Sequence, residues 1–151
     1  MFIKKKIIFK GITFFDLNYD QIKKKFLKGG LLVIPSGPGL STLEKDKQYH
    51  RALKNSDIAI LDSGYFCLLL KILKFINVKK FSGYKFIKKI LNDKNLKNKS
   101  FIFVDPNKQE SIQNKKYLVS LKFKNSYHYI APIYNMKSIQ DRTLLKIINK
   151  K

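Results

Sequence analysis

Short apolar runs that alternate with amphipathic stretches constrain the fold of this 151-residue chain more than any other feature. The apolar runs have the length of buried strands and are bounded by turn residues; they cover residues 31–35, 58–61, 101–104 and 127–130. Stretches with helical spacing separate or follow them, at residues 41–55, 65–75, 84–91 and 109–118. Strands that alternate with helices form parallel βαβ units. The sequence therefore predicts an α/β fold with a Rossmann-like, mostly parallel sheet flanked by helices, as a single domain over residues 1–151.

The two ends of the chain extend this pattern. Residues 7–15 are expected to form a strand or a hairpin broken at Gly11, and residues 19–27 a short helix. Residues 138–149 close the chain as a helix, and four apolar side chains are predicted to face inward: Ile139, Leu144, Leu145 and Ile148. Only residues 92–100 are expected to lack regular structure. Ser41, with Glu44 three residues later, predicts a capping box at the start of the 41–55 helix.

The longest apolar stretch covers residues 65–76 and is interrupted by Lys71 and Lys74. It is shorter than the roughly 20 residues that a membrane-spanning helix needs, so it predicts a buried helix. Cys67 lies within it and is the only cysteine. A single cysteine excludes a disulfide or a cysteine-based metal site within one chain, and its apolar surroundings predict a buried, inert thiol.

The net charge of +22, from 32 Lys and Arg against 10 acidic residues, favours anionic partners such as nucleic acid, acidic lipid or phosphorylated substrates. The bases are almost all lysines that accompany many Ile, Asn and Phe residues, so a purely compositional origin stays open. No zinc-finger spacing, ribonucleoprotein aromatic motif or Arg cluster is present, which disfavours nucleic acid and leaves an anionic membrane surface as the better candidate. The N-terminus lacks the apolar core of a signal peptide, which predicts a cytoplasmic protein.

Three loops follow predicted strands and are expected to meet at one edge of the sheet: residues 35–39, 62–64 and 105–107. Asp62 lies just past a buried strand, where it has the position of a general base acting on a hydroxyl or of a cap for the next helix. The loop 35–39 suits either a phosphate or a plain tight turn. Asp105 belongs to ordinary Asp-Pro-Asn turn chemistry. His50 and His128 are predicted to be structural, and nothing pairs them into a catalytic set.

An ordered set of motifs runs through most of the chain. Its stronger part comprises residues 33–39, 45–46, 49, 52–53, 56–57, 60–64, 80–83 and 86, and its weaker part residues 101–105, 131–134, 141 and 144–145. This pattern resembles the WecG/TagA/CpsF glycosyltransferases, which transfer a sugar from a UDP-sugar to a lipid-linked acceptor during synthesis of bacterial cell-surface polymers such as polysaccharide or teichoic acid. The segment around Asp62 carries the most specific part of the resemblance.

The resemblance implies an inverting transferase that uses neither a metal nor a cofactor, with Asp62 as the base acting on the acceptor hydroxyl. It implies substrate-binding roles for seven further residues: Ser36, Gly37, Gly39, Ser63, Gly64, Lys80 and Gly83. The implied partners are a UDP-sugar, a polyprenyl diphosphate acceptor and the anionic inner face of the cell membrane, where the protein would be peripheral. Self-association is a further possibility.

The chain departs from the family pattern at several positions. Lys80 replaces the usual arginine and offers a point charge instead of a bidentate fork. Pro35 and Gly37 stand where Thr and Asn are usual, and Asp105 and Pro106 replace a Gly-Gly pair. Family members are longer, so the chain is expected to be C-terminally truncated, which would leave a sheet edge unpaired or covered by self-association. Two functions therefore stay open: an active transferase, and a non-catalytic sugar-nucleotide-binding domain or half of a split enzyme.

Overall fold

The structure is a computed structural model that describes residues 6–134 and 140–150. The chain divides into two compact units, Met1–Lys88 and Lys89–Lys151, which are described separately below. Both units combine helices with a small sheet in which parallel pairing dominates. The predicted α/β class is confirmed, whereas the single domain stays a prediction.

The first unit begins with a hairpin of β1 (Lys6–Phe9) and β2 (Ile12–Phe15), which pair antiparallel. Lys10 and Gly11 form its two-residue turn, and both have positive φ, of 48° and 74°. A two-residue turn needs this left-handed geometry because its twist then matches the twist of the strands. The hairpin that the sequence offered as one of two possibilities is thus the observed structure.

A strand–helix–helix–strand unit follows the hairpin and the first helix. Its elements are β3 (Leu32–Val33), α2 (Gly37–Ser41), α3 (Lys47–Lys54) and β4 (Ile58–Ala59). The sheet order is β1-β2-β4-β3, and β4 runs parallel to both of its neighbours. The carboxyl ends of β2, β3 and β4 therefore lie at the same edge of this sheet.

Three more helices belong wholly or mainly to this unit: α1 (Tyr19–Phe26), α4 (Gly64–Lys74) and α5 (Gly83–Asn92). Helix α1 starts with a reciprocal capping box between Asn18 and Gln21. The core between sheet and helices contains eleven buried residues: Ile7, Ile12, Phe14, Leu40, Leu43, Leu53, Ala59, Leu61, Cys67, Leu70 and Val78.

The capping box predicted at Ser41 and Glu44 is wrong. Pro38 fits the first turn of a helix, because its missing N–H has no partner there in any case, so α2 begins before Ser41. The Ser41 hydroxyl donates to the carbonyl of Pro38 at 2.7 Å, and Glu44 pairs with Lys10. Asp46 caps the following helix, α3, by accepting a backbone N–H at 2.8 Å.

Helix α4 is only half buried, so the prediction of a buried helix is wrong for its outward side. Cys67 and Leu70 face the core, whereas several apolar side chains of the same helix are more than half exposed: Tyr65, Leu68, Ile72 and Leu73. The predicted burial of the Cys67 thiol is confirmed. Burial raises the pKa of that thiol, and the carboxylate of Asp16 raises it further.

The second unit contains a parallel pair of six-residue strands, β5 (Ser100–Asp105) and β6 (Asn125–Ile130), in register from one end to the other. Its helices are α6 (Lys108–Ser120), α7 (Arg142–Asn149) and a 3₁₀ helix (Lys94–Leu96). The expectation that residues 92–100 are unstructured is wrong, because Asp93 caps the 3₁₀ helix and the side chain of Leu96, its last residue, is buried.

Helix α7 has a different inward face from the predicted one. Leu145 and Ile148 are at least half exposed, and Leu144 and Ile147 are the half-buried positions. Ile139 and the start of the predicted helix lie outside the described residues. Among the described residues, no helix has both the length and the apolar character that crossing a bilayer requires.

Substitutions at two neighbouring glycines measure how much the hydrogen bond between Asp57 and Leu31 stabilises the start of β3. Gly29 and Gly30 both have positive φ, but only at Gly30 would a Cβ collide, at 2.7 Å from the carboxylate of Asp57, which accepts the N–H of Leu31. We expect Gly30→Ala to lower the free energy of unfolding by about 1–3 kcal/mol more than Gly29→Ala, because it also disturbs this hydrogen bond. Denaturant unfolding of both variants measures the difference; equal losses would contradict it.

Candidate functional site

Asp62 lies at the carboxyl edge of the first sheet, three residues beyond the end of β4. Its Oδ2 accepts the backbone N–H of Gly83 at 3.2 Å, and the Nζ of Lys80 lies 4.0 Å from its Oδ1. The N–H of Phe81 donates to the carbonyl of Leu61 at 2.9 Å, which holds the 80–83 segment beside the carboxylate. With 29% of its side chain exposed, Asp62 is accessible to a ligand.

Ser63 joins this carboxylate to the loop after β3. It is buried and caps α4, because its hydroxyl oxygen accepts the N–H of Phe66 at 3.1 Å. A Cβ on Gly37 would lie 3.1 Å from the same oxygen, so glycine permits the close approach of α2 to the start of α4. Ser36, which is exposed, directly precedes Gly37. The alternative role of Asp62 as a helix cap is wrong, since Ser63 caps α4.

Other predicted glycines also lie around Asp62. A Cβ on Gly83 would lie 3.2 Å from Oδ2 of Asp62, and a Cβ on Gly64 would lie 3.5 Å from Cδ of Lys80. Gly39 serves a different contact, because its Cβ would lie 2.6 Å from the hydroxyl of Tyr49. Gly37 and Gly39 are part of the five-residue helix α2, so the expectation of an open loop over residues 35–39 is wrong for its second half.

An open cavity of about 390 Å³ adjoins Lys80. Its lining comes from the loop after β2 and from the segment before α5: Asp16, Leu17, Asn18, Lys79, Lys80 and Phe81. Sequence reasoning missed the β2 loop. The pattern of residues 7–15 predicts a strand or hairpin but not its neighbour in the sheet, and only the parallel pairing of β2 with β4 brings this loop to the same edge.

The third predicted loop belongs to the second unit and to a separate sheet, so one shared sheet edge is confirmed only for the first two loops. Asp105 ends β5 and is buried, with 2% of its surface exposed. Its carboxylate accepts Nδ2 of Asn114 and lies 2.7 Å from Nδ1 of His128, which donates to it in the matching tautomer. Ser111 also bonds to it. Burial opposes ionisation, but these bonds together hold the pKa of Asp105 below its ordinary value.

This network corrects one prediction, because Asp105 is not a simple turn residue. His128 pairs with it, and the His128 side chain is 2% exposed and stacked on Phe103. The Nε2 atom of His128 is buried and has no hydrogen-bond partner. The pairing joins neighbouring parallel strands and a helix, so no short-range spacing in the sequence indicates it. His50 has a separate contact, with its Nε2 2.7 Å from the carbonyl of Lys10.

A second carboxylate network in the same unit surrounds Asp141, which caps α7 through the N–H of Leu144. The hydroxyls of Tyr129 and Tyr134 donate to it at 3.0 and 2.7 Å. The bond to Asp141 is the main cause that raises the pKa of Tyr134 to about 12. Tyr134, Asp141 and Leu144 belong to the weaker part of the motif pattern, and their observed contacts are those of a structural cap.

Comparison of the sequence with protein-family models gives no match, and comparison with curated proteins gives none. Within the described residues, no three His, Cys, Asp or Glu side chains are grouped closely enough to hold a metal ion. The functional interpretation therefore depends on the motifs and on the geometry around Asp62.

The buried network in the second unit predicts how stability changes with pH. Because the folded-state pKa of Asp105 is lowered, its ionised form contributes stability above the unfolded-state pKa of about 4, and this stability is lost as the pH falls through the folded-state value. We expect Asp105→Asn to lower the free energy of unfolding at neutral pH by about 1–3 kcal/mol and to flatten its decline in acid.

The matched control is Glu110→Gln, which removes one negative charge from an exposed position on α6. Denaturant unfolding at a series of pH values compares the two variants with the unmodified chain. The same loss of stability in both variants would show that the Asp105 network contributes nothing beyond its charge.

Proposed function

We propose that this chain is a glycosyltransferase that moves a sugar from a UDP-sugar to a lipid-linked acceptor, with inversion at the anomeric carbon. The observation that carries the proposal is the position of Lys80 and Gly83 against the Asp62 carboxylate, with Gly37 packed on the neighbouring Ser63. The motif pattern implies that these residues bind substrate. They are far apart in the sequence, and the fold brings them to one edge of the first sheet.

Asp62 is the proposed general base. The N–H of Gly83 orients the carboxylate through Oδ2, and Oδ1 is the oxygen that would take the proton of the acceptor hydroxyl. The hydroxyl oxygen would attack the anomeric carbon as the bond from that carbon to the UDP oxygen breaks, and UDP would leave with the electron pair. A positioned base of this kind contributes about 10²–10⁴-fold to the rate.

The donor diphosphate is proposed to lie beside Lys80. This lysine is 55% exposed at the mouth of the cavity that Asp16, Asn18 and Lys79 also line. Its charge would offset the negative charge that develops on the departing UDP, so the proposed reaction needs no metal ion. Gly37 lets α2 approach Ser63 and the start of α4 closely, and the exposed Ser36 that precedes it is the proposed donor-side residue of this loop.

The proposal extends to fold and location. The parallel β3–β4 pair with its connecting helices supports a Rossmann-like arrangement, in which ligands bind beyond the carboxyl ends of the strands. A lipid-linked acceptor places the reaction at a membrane, and the net charge of +22 suits the anionic cytoplasmic surface. The protein is therefore proposed to be cytoplasmic and peripheral to the inner face of the cell membrane.

The role of Asp62 is tested by UDP release from a panel of UDP-sugars with a polyprenyl diphosphate acceptor. We expect Asp62→Asn to lose at least about 100-fold in release rate, because the amide cannot accept the proton. Asp20→Asn, an exposed change of the same type on α1, should release UDP as the unmodified chain does. Release that survives in Asp62→Asn would contradict the assignment; donor binding without release from either chain would favour the non-catalytic sugar-nucleotide-binding function.

The role of Lys80 is tested by the affinity for UDP, measured by calorimetry. We expect Lys80→Gln to weaken UDP binding about three- to thirtyfold, as the loss of one charge-assisted contact of about 0.7–2 kcal/mol predicts. Lys28→Gln removes a lysine charge from the end of the α1 region and serves as the control. Equal affinity in the two variants would place the diphosphate elsewhere.

A further inference from the structure

Helix α4 has apolar residues on both of its faces. Cys67 and Leu70 pack into the core, and Phe66 meets Phe9 edge to face with 4.7 Å between ring centroids. The opposite face contains residues spaced by three or four positions, so they form one stripe: Tyr65, Leu68, Leu69 and Ile72. A surface helix ordinarily has polar residues on this side, and a helix that is apolar all round is usually covered on both faces.

Three of the four residues of this stripe are well exposed: Tyr65 is 72% exposed, Leu68 51% and Ile72 59%. Leu69 is partly buried, and Leu73, four residues after Leu69, is 70% exposed and continues the stripe. Apolar side chains scattered singly over a surface are ordinary, but neighbouring ones on a single helix form a continuous patch, and such patches mark contact with a protein or a membrane. The patch is called the outward face of α4 below.

Phe75 directly follows the last residue of α4 and is its C-cap. It is 92% exposed and has a φ of 52°, in the left-handed region that bulky residues rarely adopt. Placing a large aromatic side chain in water on a strained backbone is unfavourable in the isolated protein. A contact that buries the ring would offset this cost.

The charges around the outward face identify its partner. Residues 63–88 contain six lysines and no aspartate or glutamate. Lys71 lies within α4 and Lys74 at its end, so cationic side chains border the apolar stripe. An apolar stripe bordered by lysines matches an anionic lipid surface, because acyl chains accept the apolar side chains and headgroups attract the lysines. A second copy of the same stripe would bring lysines against lysines.

We infer that the outward face of α4, with Phe75, inserts into the interfacial region of an anionic bilayer and is the membrane-docking surface of this protein. Helix α4 begins two residues after Asp62, so docking through this face sets the distance of Asp62 from the lipid headgroups. This last consequence depends on the proposed function, since it matters only for an acceptor held in the bilayer. The docking itself does not depend on it.

The test is co-sedimentation with vesicles of phosphatidylglycerol and phosphatidylcholine. We expect the double variant Leu68→Gln/Ile72→Gln to lose at least about tenfold in vesicle affinity, because two apolar side chains no longer enter the bilayer. The matched control, Ile8→Gln/Leu27→Gln, replaces the same two residue types at exposed positions outside the face and should bind as the unmodified chain does. Equal binding by both double variants, or no binding by the unmodified chain, would overturn the inference.

Penetration has a separate readout, because the chain contains no tryptophan. Phe75→Trp should show a blue-shifted emission with anionic vesicles and quenching by brominated lipid, whereas Ile8→Trp should show neither. An unshifted Phe75→Trp spectrum in vesicle-bound protein would contradict insertion. Sedimentation of the protein without lipid tests whether a second copy of the chain covers this face instead. If Leu68→Gln/Ile72→Gln dissociates an oligomer and leaves vesicle binding unchanged, the face is a contact between copies and the inference is overturned.

These outcomes are distinguishable from a failure of the proposed function. UDP release with a water-soluble diphosphate acceptor, measured without vesicles, depends on Asp62 and not on the outward face of α4. If both proposals hold, Leu68→Gln/Ile72→Gln should lose vesicle binding and should release UDP in the soluble-acceptor assay at the unmodified rate.

Discussion

The parallel pairing of β3 with β4 is the interaction on which the candidate site depends. The N–H of Ile60 donates to the carbonyl of Val33 at 3.0 Å, so the two short strands end side by side. The chain leaves both strands at the same edge, where α2 and α4 begin next to each other. Gly37 and Ser63 meet there because glycine leaves space for the serine hydroxyl. Asp62 stands at the centre of this edge as a consequence of strand pairing.

Helix α4 connects that edge to the surface of the protein. Its first turn is fixed by the Ser63 cap, and Cys67 and Leu70 hold its inward face in the core. The outward face is consequently presented in a fixed orientation relative to Asp62. If Asp62 is the base and this face docks on a bilayer, as proposed, the short connection between them sets the distance between the bilayer and the reacting hydroxyl.

The sequence predicted what local signals determine. Gly11 indicated a break that fits a hairpin, one of the two structures predicted there, and the alternation of strands and helices predicted a shared edge, which holds for the first two of three loops. Other features depended on contacts that a sequence does not display. The Asp105–His128 pair joins neighbouring strands, and its partners are visible only in the fold. Glycines around Pro38 suggested a loop, but Pro38 fits a helical first turn, and the apolar content of α4 suggested burial without revealing that half of it faces outward.

The central claim is that the carboxyl edge of β3 and β4 binds a sugar nucleotide. Titration of the isotope-labelled chain with UDP, followed through its backbone amide resonances, tests this most directly. The account predicts that the largest shifts cluster at Ser36, Gly37, Ser63, Lys80 and Gly83. Shifts concentrated in the second unit, or no shifts at millimolar UDP, would contradict it.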